Sequence, residues 1–133
     1  MKRFCLTLSL RPDPELIAEY IEHHRIGRPE IHKSIRDAGV LDMEIFHLEG
    51  SLFMIMDTTN DFTFERKAEM DRLNPAVQAW ERLMSSYQNV SPESDPSTRW
   101  RQMERIFKLT HTTDQTSLVD RREFWTGESE PHP

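Results

Sequence analysis

VLDMEIFHLEGSLFMIMDT, residues 40–58, is the stretch that decides the fold. Two runs of strand formers, Val40–Leu48 and Ser51–Thr58, are separated by Glu49 and Gly50 alone, and a two-residue gap ending in glycine signals a tight hairpin. The second run, Leu52, Phe53, Met54, Ile55 and Met56, is apolar on both of its alternating faces. A sheet with helices on one side only should alternate, whereas one buried on both sides should not. Helices on one face and a second subunit's sheet on the other are the simplest cover.

Outward from the hairpin, residues 2–10 alternate, with Phe4, Leu6, Leu8 and Leu10 on one face and Cys5, Thr7 and Ser9 on the other, as a strand does. Asp13, Pro14 and Glu15 then supply a capping aspartate, a proline for the first helical position and an acid for the first turn. The helix is expected to run to Ile26, break at Gly27, Arg28 and Pro29, resume through Ile31, Ile35 and Ala38, and stop at Gly39. Residues 62–87 read as helix with a restart at Asn74 and Pro75, its inward stripe formed by Ala76, Trp80, Leu83, Met84 and Tyr87. A Ser/Pro-rich loop leads to an expected fourth strand over residues 100–109. The order is β-α-β-β-α-β, an α+β ferredoxin-like fold of the dimeric α/β-barrel type, over residues 1–109. Residues 110–133 are polar and read as a flexible or loosely docked extension.

The 133 residues suit one domain with a proper core, and 36% hydrophobic with 30% charged content is that of a soluble globular protein. No apolar run approaches the roughly 20 residues of a membrane span, and the N-terminal apolar stretch is too short and interrupted for a signal peptide. No membrane partner is expected. A net charge of −6 counts against nucleic-acid binding, which needs a cationic surface. A single cysteine, Cys5, suits a reducing cytoplasm.

Tyr20 and His24 stand four residues apart on the first helix, so phenol and imidazole share one face, continuing a stripe of Leu16, Ile17 and Ile21. An imidazole held partly dry beside a phenol is a proton-transfer device near neutral pH. A hydrogen-bonded core histidine is the plainer reading of the same pattern. His23 points about 100° round the helix and is expected to face solvent. His23, His24 and His32 do not converge as ligands, so no metal site is expected. Nor is a cofactor: the chain lacks a Gly-rich phosphate loop, a Cys-x-x-Cys and a triad motif. Asp42 and Glu44 share a strand face, either flanking a ligand or merely solvated.

With these segments in order, the chain resembles the L-rhamnose mutarotase family. The resemblance spans residues 2–109 and rests on Glu19, Tyr20 and His24 followed by Pro29 and Glu30, on Asp37 to Gly39, and on Met43 to Phe46. It continues through Leu52 to Met56, Asn74 and Pro75 with Trp80, and Met103 to Phe107. The Leu52 and Asn74 segments are closest to the branch associated with L-fucose. The family implies a cofactor-free homodimer that interconverts the anomers of a 6-deoxyhexose, with a small-molecule sugar as its substrate. It implies His24 as catalytic acid, and Tyr20, Met43, Trp80 and Glu81 at substrate-binding positions. The chain departs from the family at Arg28, commonly tryptophan, at Met43, a tyrosine in some members, and at Glu81, a second tryptophan in some. Ser85 and Ser86 stand where an aromatic and a basic residue are usual. The aromatic wall is thinned while the acid–base element survives. Two other readings stay open: a monooxygenase-like or haem-handling protein of the same architecture, and a non-catalytic dimer that binds a small ligand.

Overall fold

In a computed structural model that describes residues 1–110, the expected α+β architecture is present. Strand β1 (Lys2–Ser9) is followed by helices α1 (Pro14–Ile26) and α2 (Pro29–Asp37), then by β2 (Val40–Leu48) and β3 (Ser51–Thr58). Helices α3 (Phe64–Arg72) and α4 (Pro75–Ser85), a 3-10 turn at Pro96–Thr98 and the two-residue β4 (Arg101–Gln102) complete the order. The sheet runs β2-β3-β1-β4 with every pairing antiparallel. That is the ferredoxin-like order. These elements lie in one compact unit, Met1–Met103, and a second unit begins at Glu104. The expectation for residues 110–133 falls outside the described residues from 111 onward.

The turn forms as its spacing requires. Glu49 and Gly50 both adopt positive φ, 51° and 84°, the combination of a type I′ hairpin. His47 reaches across it, its Nε2 accepting from the Gly50 N–H at 2.9 Å. The register sets Leu6 opposite Met54, Leu8 opposite Leu52 and Ile45 opposite Met54. Leu6, Leu8, Leu52, Met54 and Met56 are all buried on this face. The opposite face carries Arg3, Cys5, Thr7, Phe53, Ile55 and Phe46, with Phe46 52% exposed.

Asp13 caps α1, its carboxylate accepting from the backbone N–H groups of Glu15 and Leu16, and Asn74 caps α4 in the same way. The chain breaks between α1 and α2 at Gly27, whose φ of 74° disfavours any side chain. Two expectations are corrected. Ile21 does not continue the inward stripe: it is 44% exposed, because the face turned to the sheet runs through Leu16, Ile17 and Tyr20. The fourth strand is not residues 100–109 but Arg101–Gln102 alone. It pairs with Thr7 and Leu6, adds one bond from Met103 N–H to the Cys5 carbonyl at 2.7 Å, and stops. Apart from Phe107 and Leu109, the apolar residues between Trp100 and Leu109 are not spaced two apart, so the segment has no continuous strand face to bury.

Candidate active site

The site is assembled by α1, the end of α4 and the break before α2. One core cluster contains Leu8, Leu10, Tyr20, Leu52, Met84 and Tyr87, with Trp80 and Trp100 packed against it. Tyr20, 3% exposed, lies in this cluster beneath His24, the two rings 4.4 Å apart. Burial pushes the Tyr20 phenol up to about 12; a hydrogen bond with the Gln88 side chain opposes that rise and the charge on Glu81 adds to it. At neutral pH this phenol keeps its proton and is a donor.

His24 Nδ1 stands 2.9 Å from the Tyr20 carbonyl oxygen. A carbonyl only accepts, so Nδ1 carries the proton and donates it, and Nε2 is left as the free nitrogen. The outer edge of His24 is open to solvent, but Tyr20 below and Trp80 beside it, centroid to centroid 5.4 Å, crowd the ring. Desolvation therefore lowers its pKa; the bond to the Tyr20 carbonyl works the other way, and His23 nearby adds to the lowering. The favoured neutral ring presents a lone pair at Nε2.

Trp80 and Glu81 follow on α4. The Trp80 indole is half-buried, and the Arg28 guanidinium carbon lies 4.9 Å above its ring centroid. The residue that departs from the family pattern thus stacks on Trp80 by a cation–π contact. Burial raises the Glu81 carboxyl against the lowering pull of Lys67 and Arg99. Met43 is placed apart from this group. It packs with Leu6, Val40, Met54, Met56 and Phe62 in a second cluster, which shares Ile45 and Trp100 with the first. Asp42 and Glu44 project from the other face of the sheet, away from His24.

His23 does not face solvent as its helical position suggests. It is half-buried, its Nε2 3.2 Å from the Tyr87 hydroxyl, which donates in turn to Glu19 Oε1 at 3.0 Å. The signal was present: Glu19 and His23 share the four-residue spacing of Tyr20 and His24. Among the described residues no three His, Cys, Asp or Glu side chains are grouped to hold a metal ion.

This arrangement can be set beside known proteins. The family model for L-rhamnose mutarotase matches residues 3–109. An L-fucose mutarotase from Xanthomonas campestris pv. campestris is 39% identical over 112 residues, which are 83% of this chain and 90% of that protein. An L-rhamnose mutarotase from Phocaeicola vulgatus is 32% identical over 100 residues, covering 74% and 90%. The crystal structure of an L-rhamnose mutarotase from Formosa agariphila superposes with a TM-score of 0.63 at 21% identity, covering 83% of this chain and all of that one, and so shares the fold. The chain belongs to the L-rhamnose mutarotase family.

Proposed function

We propose that the protein is an aldose 1-epimerase that interconverts the α and β anomers of a free 6-deoxyhexose such as L-fucose or L-rhamnose. The observation that carries this reading is the fixed imidazole of His24, with Nδ1 committed to the Tyr20 carbonyl and Nε2 free beside an indole. Opening a pyranose requires removal of the proton on the anomeric hydroxyl O1 and delivery of one to the ring oxygen O5. The neutral His24 ring accepts the O1 proton through Nε2 as the C1–O5 bond breaks and O5 takes a proton from a second donor. Rotation about C1–C2 exposes the other carbonyl face, and on closure the imidazolium returns its proton to O1, so the donor role expected for His24 belongs to the closing half. General acid–base help of this kind is worth ~10²–10⁴ in rate.

Tyr20, which keeps its proton, donates it in a hydrogen bond to the sugar near the anomeric centre from the floor of the site. Trp80 packs on the apolar side of the deoxy sugar, and Glu81 takes its polar edge. Met43, in the adjoining cluster, acts on the sugar through the packing of Ile45 and Trp100. A second copy of the chain covers the open sheet face, where Phe46 and Leu48 are 52% and 72% exposed beside Phe53 and Ile55. Sedimentation as a dimer tests that cover. The lone Cys5 supports the reducing cytoplasm as the place of action.

The test of the reaction is saturation transfer between the anomeric protons of L-fucose and L-rhamnose in the presence of the wild-type protein. Accelerated exchange with either sugar is expected. No acceleration with either, nor with related aldoses, at protein concentrations where mixing is complete, would overturn the assignment.

A further inference from the structure

Ring opening moves two protons, and His24 accounts for one. The other groups around it are poorly suited to the second. Tyr20, near 12, is a weak acid. Glu81, its carboxyl raised by burial, is already given to the polar edge of the sugar. His23 is different in kind. Its ring lies 6.4 Å from the Trp80 ring and 5.6 Å from that of Tyr87, on the indole that His24 also flanks. The Tyr87 hydroxyl donates to Glu19 Oε1 at 3.0 Å and so is free to accept only. His23 Nε2, 3.2 Å away, must therefore be the donor in their contact, which fixes its proton there and leaves Nδ1 as the working nitrogen. Three side chains from α1 and the end of α4 thereby fix one tautomer.

We infer that His23 is the second proton-transfer residue of the site, serving the sugar oxygen that His24 does not, with Tyr87 and Glu19 as its positioning residues. This rests on the mutarotase reading above and goes beyond it. In the opening step His24 Nε2 takes the O1 proton, O1 and C1 become the carbonyl, the C1–O5 electron pair passes to O5, and O5 takes the proton from Nδ1 of the His23 imidazolium. The site then holds His24 charged and His23 neutral. Closure on the other face returns both protons. The groups that bear on His23 charge are Glu19, Glu22 and His24 on its own helix and Tyr87 across from it, with the Trp80 ring beside it.

One imidazole neutral and one charged gives a bell-shaped dependence of rate on pH. The test is anomer exchange with L-fucose from about pH 5 to 9 for wild type, His23→Gln and Tyr87→Phe. His23→Gln is expected to slow exchange by ~10²-fold and to abolish the alkaline limb, which belongs to loss of the His23 proton. Tyr87→Phe keeps the ring and its packing but removes the acceptor that holds His23 Nε2, so exchange slows while the apparent KM for L-fucose changes little. His23→Gln exchange within threefold of wild type, or slowed exchange with both limbs unmoved, overturns the inference, since a purely structural clamp would do the latter. Failure of the mutarotase reading is seen separately, as absence of exchange in the wild type.

Discussion

Replacing Arg99 by methionine removes the tie between residues 91–99 and α4, and its cost can be worked from the bonds it makes. The side chain is 4% exposed. Its Nε donates to Ser94 Oγ at 3.0 Å, Nη1 to the Glu81 carbonyl at 3.2 Å, and Nη2 to the Pro92 and Ser94 carbonyls at 3.3 and 2.9 Å. The Glu81 carboxylate is 4.0 Å away, at the outer edge of an ion pair. Hydrogen bonds from a charged donor contribute ~1.5–3 kcal/mol each. The Pro92 and Ser94 carbonyls sit in a loop that regains water once released, so the set is worth about 3 kcal/mol rather than the sum of four. With a urea slope of about 1.5 kcal/mol/M that lowers the midpoint by ~2 M. Glu81→Gln removes only the distant pair and costs less than ~1 kcal/mol. Urea unfolding of the two variants separates the effects. An Arg99→Met cost under ~1 kcal/mol, or a Glu81→Gln cost equal to it, would refute the argument that carbonyl contacts, not the ion pair, hold this loop.

The lowered pKa of His24 has a sign that can be checked. The unfolded chain takes up this proton near the ordinary value of ~6.5 and the folded chain only at lower pH. The stability is intact above that ordinary value and is lost as pH falls from it through the folded pKa. Wild type should therefore lose unfolding free energy relative to His24→Gln as pH falls across that window; a difference that stays flat would contradict the shift. Gly27→Ala places a side chain at φ 74° with its Cβ 2.8 Å from His32 Cε1. That extended positive-φ backbone alone costs a residue with a Cβ about 1–3 kcal/mol, so Gly27→Ala/His32→Ala should recover only the steric remainder in urea unfolding. Trp80→Ala should raise KM by about tenfold while kcat changes little, as expected for loss of about 1.4 kcal/mol of uniform binding. A fall in kcat alone would place Trp80 in the chemistry instead.

The local grammar of this chain was legible because its signals are short-range. Asp13 and Asn74 cap, Gly27 and Pro29 break, and Glu49 with Gly50 turns, each by a rule that involves only immediate neighbours. The fourth strand failed because pairing with β1 is decided across the sheet, and an irregular apolar run between Trp100 and Leu109 carried no register. The Tyr20 and His24 pair was found by helical spacing. The Glu19 and His23 pair has the same spacing but was missed, since its partner, Tyr87, lies 64 positions from His23. Arg28 read as damage to the aromatic wall because stacking on Trp80 is visible only in three dimensions. Met43 shows the converse: its position matched the family's motif, while its side chain packs in the neighbouring cluster.

The direct measurement is the rate of L-fucose anomer exchange for His24→Gln against wild type, at matched folding as judged by circular dichroism. If the free Nε2 carries the proton of the anomeric hydroxyl, exchange falls by ~10² or more while the urea midpoint at pH 8 stays near that of wild type. Exchange within threefold of wild type would contradict the account, whatever the other residues of the site do.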